Sequence, residues 1–128
     1  MDKQIIKNII IEKQVAIPNY KLIHRDFLFG DKSNYILVGL RRAGKSYLLY
    51  QDIQTRLQKG EQSAQDILYI NFEDERLSSL KAEELGIILD SYMELYPGKQ
   101  PLIYLDEIQN VEGWEKFARR LADSQYRV

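Results

Sequence analysis

Residues 39–46 read Gly-Leu-Arg-Arg-Ala-Gly-Lys-Ser, a complete match to G-x-x-x-x-G-K-[ST]. These types at this spacing suit one task, wrapping backbone around a phosphate chain. Gly39 and Gly44 permit dihedrals that a β-carbon would block. Loop amides from Ala43 to Tyr47 converge on the start of a helix, whose dipole favours negative charge. Lys45 adds a point charge for β- and γ-phosphates, and Ser46 offers a hydroxyl to Mg²⁺. Leu40, Arg41 and Arg42 complete the loop, where only their backbone is strictly needed. At average composition the four fixed positions match by chance in about 0.4% of chains this long. The loop is therefore read as a site.

A second candidate lies at the end of an apolar run, Leu102-Ile103-Tyr104-Leu105-Asp106-Glu107. A carboxylate ending a buried strand holds Mg²⁺ through its water shell in phosphate-loop proteins. Asp106 follows Lys45 by 61 positions, room for a helix, a strand and a second helix. Ligands in open α/β sheets gather at the carboxyl ends of strands, so loop and acid fall on one edge. Glu107 supplies a second carboxylate able to orient and deprotonate an attacking water.

The elements that must hold these groups are legible. Isoleucines at 5, 6, 9 and 10 give a helix over 3–14, with Asp2 as its cap and Pro18-Asn19 as its break. Tyr35-Ile36-Leu37-Val38 reads as a buried strand entering the glycine loop. Lys45 to Lys59 reads as a helix with Leu49, Ile53 and Leu57 on one face, stopped by Gly60. Residues 67–72 form a second strand. Leu85, Ile88, Leu89, Tyr92 and Leu95 make a helical stripe that ends at Pro97-Gly98. Residues 101–105 form a third strand, and Asn110 is expected to cap a last helix with Trp114, Phe117 and Leu121 inward. Strands alternating with helices predict an α/β domain with a parallel sheet.

Composition narrows the chemistry. The 128 residues contain no cysteine and one histidine, His24, which excludes thiolate sites and multi-histidine metal centres. No uninterrupted apolar run exceeds four residues, so no membrane span is expected, and the chain reads as cytoplasmic. The net charge is −1, and seven acids between 73 and 94 make an unlikely nucleic-acid surface. No N-K-x-D motif for guanine is present.

GLRRAGKSYLL, INFED and LIYLDEIQNVEGWEKFARRLAD together resemble the AAA-superfamily ATPases of bacteria and archaea that carry a C-terminal nuclease-like domain. The resemblance runs from about residue 20 to the end. It implies a P-loop NTPase fold of the AAA/ASCE type, a three-layer αβα sandwich around a parallel sheet. It implies ATP and Mg²⁺ as cofactors, a Walker A loop at 39–46 and a Walker B pair at Asp106 and Glu107. It also implies that Asn71, at the end of the second strand, holds Glu107 until ligand arrives, and that residues 23–27 border the adenine. The family's strand order, 5-1-4-3-2, places a fourth strand from about Tyr126 between the strands at 35–38 and 101–105. The chain accordingly reads as an N-terminal helix and linker, 1–19, and a partial ATPase domain, 20–128, truncated before that strand. Closure of the gap or self-association through exposed sheet edges is then expected. The function implied is Mg²⁺-dependent hydrolysis of the ATP β–γ bond by the full-length protein. Two alternatives stay open: a nucleotide-binding switch without turnover, and a phosphotransferase acting on a small acceptor.

Overall fold

Two five-residue apolar runs form the sheet of this computed structural model, which describes residues 2–22 and 45–123. Strand β1 (Ile67–Asn71) and strand β2 (Leu102–Asp106) pair in parallel, with Ile67 opposite Leu102 and Asn71 opposite Asp106. Side chains alternate across a pleated strand. Ile67, Tyr69, Leu102 and Tyr104 therefore share one face, where they pack with Ile17 and Ile53. Leu68, Ile70 and Ile103 share the other face and pack with Ile6, Ile9, Ile10, Ile88 and Phe117. Both faces are apolar because both are covered, as a parallel pair requires.

Helix α1 (Lys3–Ala16) starts where expected. The Asp2 carboxylate accepts from the Gln4 amide at 2.9 Å and caps the first turn. Burial of Ile6, Ile9 and Ile10 contributes about 1.5–3 kcal/mol each to docking it. Pro18 falls in a 3₁₀ turn (Ile17–Asn19) that ends the helix. Helix α2 (Lys45–Gln58) covers the opposite face of the sheet through Ile53. It stops at Gly60, whose φ of 76° is left-handed, while the Lys59 amide returns to the Thr55 carbonyl at 3.0 Å.

Helix α3 (Gly86–Leu95) connects the two strands and buries Ile88 and Tyr92 beside α1. Helix α4 (Trp114–Asp123) follows β2 and buries Phe117 and Leu121, while Arg119 and Arg120 are exposed. The expectation that Asn110 caps this helix is corrected. Asn110 closes a 3₁₀ turn (Ile108–Asn110), and α4 starts four residues later, after Gly113 at φ 84°. The tight turn that leaves β2 uses the residues that would otherwise have formed the cap.

An α/β class with helices on both faces of parallel strands is what the described residues form. The strand expected at 35–38, the loop at 39–44, the stretch 23–27 and the fourth strand from Tyr126 lie outside them. Among the described residues no helix is long and apolar enough to cross a membrane.

One detail of α1 bears on the sheet's outer edge. Phe72 donates its amide to the Asp106 carbonyl at 2.9 Å, so by alternation Ile67 presents its own carbonyl away from β2. There the Gln14 side-chain amide donates to the Ile67 carbonyl at 2.9 Å. Gln14 in turn accepts from the Tyr96 hydroxyl at 2.7 Å, which holds a buried amide in place.

Candidate functional site

The first turn of α2 meets the last residue of β2. Ser46 Oγ donates to Asp106 Oδ2 at 2.5 Å, and the Tyr69 hydroxyl donates to the same oxygen at 2.5 Å. Asp106 is 1% exposed, and its other oxygen, Oδ1, is buried without a hydrogen-bond partner. Leaving a buried acceptor unsatisfied costs about 1–3 kcal/mol, and more on a charged group. A hard cation, or a water in its shell, would satisfy that oxygen.

Among the described residues no three His, Cys, Asp or Glu side chains gather to hold a metal. A cation here would draw on Ser46, Asp106, water and a bound ligand's own oxygens. That sparse donor set fits Mg²⁺, which keeps much of its water and shares substrate phosphates. The residues present fit the ion.

Glu107 occupies a strained position. Its φ of 57° and ψ of 32° place a non-glycine residue in the left-handed region, at a cost of about 1–2 kcal/mol. Strand alternation ends at that residue, and the chain turns as the Asn110 amide bonds the Glu107 carbonyl at 3.1 Å. The Glu107 side chain is buried, and its Oε2 accepts from Gln109 Nε2 at 2.5 Å.

Asn71 lies at the expected strand end, directly opposite Asp106. Its Oδ1 accepts from the Glu73 amide at 2.9 Å. An Asn followed by a turn satisfies its own backbone two residues on, and that local bond is made here. Lys45 opens α2, but its side chain lies outside what the structure describes. Tyr47 stands exposed in the first turn, its ring edge-on to Tyr50 at 5.9 Å between centroids.

A family model described as AAA domain matches residues 31–128, a span that contains the glycine loop, Ser46, Asp106 and Glu107. The chain belongs to the AAA domain family. An uncharacterized protein of Methanocaldococcus jannaschii is 36% identical over 131 residues, covering 100% of this chain and 28% of that protein. An uncharacterized protein of Haemophilus influenzae is 38% identical over 89 residues, covering 67% of this chain and 21% of that protein. The chain thus spans about a quarter of the length of these relatives. No solved structure gives a significant match. AAA domains are nucleotide-binding and ATPase-like, which agrees with the character of the loop and the strand-end acids.

Sequence reasoning missed two partners in this AAA domain. Tyr69 lies in the second apolar run with no polar role legible there, yet its hydroxyl bonds Asp106. Burial, then the neighbouring Asp106 charge, push the phenol far above its usual range, so it stays protonated and serves as a donor. The signal lay in register: Tyr69 stands two residues before the end of β1, on the face that Asp106 shares. Gln109 was the second, and its place two residues beyond Glu107 in LIYLDEIQ was the available clue.

Proposed function

We propose that this AAA domain binds ATP with Mg²⁺ and that the full-length protein hydrolyses the β–γ bond. The observation that carries the reading is the Ser46–Asp106 hydrogen bond beside the unpaired Asp106 Oδ1. It joins the end of the glycine loop to the strand-end acid, as a phosphate–cation site requires.

The roles divide by chemistry. Backbone amides along Gly39, Leu40, Arg41, Arg42, Ala43, Gly44 and on to Tyr47 cradle the phosphates, with the start of α2 aiming its dipole at them. Lys45 binds the β- and γ-phosphates and stabilises charge as the bond breaks. Ser46 and Asp106 would hold Mg²⁺, with the unpaired Oδ1 of Asp106 available to the ion's shell. When bound, the ion supplies charge neutralisation between the β- and γ-phosphates. Glu107 orients a water and accepts its proton, once its carboxylate is freed from Gln109 or shares that bond.

Phosphate release from [γ-³²P]ATP by the full-length protein tests the reading, with Glu107→Gln as control. Release by wild type and its loss in Glu107→Gln are expected, with ATP binding nearly unchanged. Turnover by Glu107→Gln at the wild-type rate would move the base elsewhere.

A further inference from the structure

Tyr69 is fully buried in the middle of β1, directly opposite Tyr104. Its hydroxyl reaches diagonally past that partner to Asp106, on the same face of the sheet and two residues further on. The ring has little room to move. Tyr50 packs against it at 5.4 Å between centroids, and the Lys13 ammonium lies 5.7 Å from its centre. The Tyr50 hydroxyl, 3.4 Å from that of Tyr69, adds a further polar neighbour.

The two oxygens of Asp106 are consequently unlike. Oδ2 receives Ser46 and Tyr69, and Oδ1 receives nothing. A carboxylate held by one donor on a helix could swing about its side-chain bonds. A second donor, fixed in the neighbouring strand, locks the rotation. We infer that Tyr69 is a positioning residue for the cation site: its hydroxyl anchors Asp106 Oδ2 so that Oδ1 is the oxygen presented to the ion's shell. This rests on the proposed ATP·Mg²⁺ reading and adds to it a residue outside both motifs.

The test is ATP binding to the full-length protein, followed by calorimetry across a Mg²⁺ titration and again in EDTA. Tyr69→Phe keeps the ring and its packing and removes only the hydroxyl. It should raise the Mg²⁺ concentration for half-maximal binding by about five- to tenfold, the upper part of the range for the net worth of one ordinary hydrogen bond. Affinity in EDTA should stay at the wild-type value, a readout that general loosening of the fold would also lower. In an Asp106→Asn background the same change should add nothing. A Tyr69→Phe titration that overlays wild type overturns the inference and leaves the ATP reading intact, as does an equal loss with and without Mg²⁺. Wild-type protein that binds no ATP at any Mg²⁺ concentration overturns both.

Discussion

Ser46 Oγ and Asp106 Oδ2 are 2.5 Å apart although sixty positions separate the two residues. One belongs to the first turn of a helix and the other to the last residue of a strand. The bond forms because β2 ends at the same edge from which α2 departs, where an α/β sheet gathers its ligands. It brings Ser46, the last residue of one motif, against Asp106, the strand-end acid of the other.

Lys45→Ala should weaken ATP binding by about 1.5–3 kcal/mol, the scale of charge-assisted hydrogen bonds. Titration calorimetry on both proteins measures it directly. Equal affinities would remove the glycine loop from the binding site.

Glu107 offers a stability test that is separate from activity. Glu107→Ala and Glu107→Gly both delete the carboxylate and its bond to Gln109. Only glycine relieves the left-handed backbone at φ 57°. The glycine variant should therefore be the more stable of the two by about 1 kcal/mol in chemical denaturation. Alanine equal to or above glycine would show that the turn carries no strain.

Asp52 ties α2 to the sheet beneath it. Its Oδ2 accepts from Arg56 Nε at 2.8 Å and from the Tyr104 hydroxyl, and the two charged side chains are 11% and 5% exposed. Burial, then the Asp52 charge, push the Tyr104 phenol far upward, so it remains a donor. Removing one member of a buried pair costs about 3–5 kcal/mol, and Asp52→Ala is expected in that range. A loss below about 1 kcal/mol, typical of surface pairs, would mean water already serves the arginine.

Acid should loosen the contact between α1 and α3 early. Glu94 accepts from Lys3 at 2.6 Å and Lys7 at 2.8 Å, and these bonds hold its carboxyl at about 2. A depressed folded value gives stability that is present above the ordinary 4.5 and lost as pH falls toward 2. Melting temperatures of wild type and Glu94→Gln should differ at pH 6 and converge near pH 2. Because all three groups are at the surface, added salt should shrink the gap. A difference that persists at pH 2 would assign the effect to something other than charge.

What the sequence could disclose was whatever local pattern determines. β1 and β2 were visible because an apolar run bounded by turn residues has few other fates, and Asp2 was visible as a cap because it precedes a regular isoleucine spacing. Asn110 misled for the same reason. It has the right side chain for a cap, but the left-handed turn at Glu107 takes up the residues after β2. Ser46 and Asp106 were legible as types, since the motifs fix them. Tyr69 was not, because its role depends on which residue of β1 stands opposite which residue of β2, and one step of slippage would turn it to the other face. The same holds for Asn71, which accepts from the Glu73 amide, and for Gln109, which donates to Glu107, since only the folded turn decides those bonds.

The family match opens at residue 31, whereas the Ile67 carbonyl on the outer edge of β1 is held by Gln14, ahead of it. A fragment cut at the match would keep the glycine loop, Ser46, Asp106 and Glu107 and discard that bond. It would leave the Ile67 carbonyl without its side-chain donor, next to the apolar face that Ile6, Ile9 and Ile10 had covered. Strands in that condition recruit strands from other molecules. For recombinant work the consequence is practical: the span that carries the family match and the span that covers the sheet start at different places, residue 31 and helix α1.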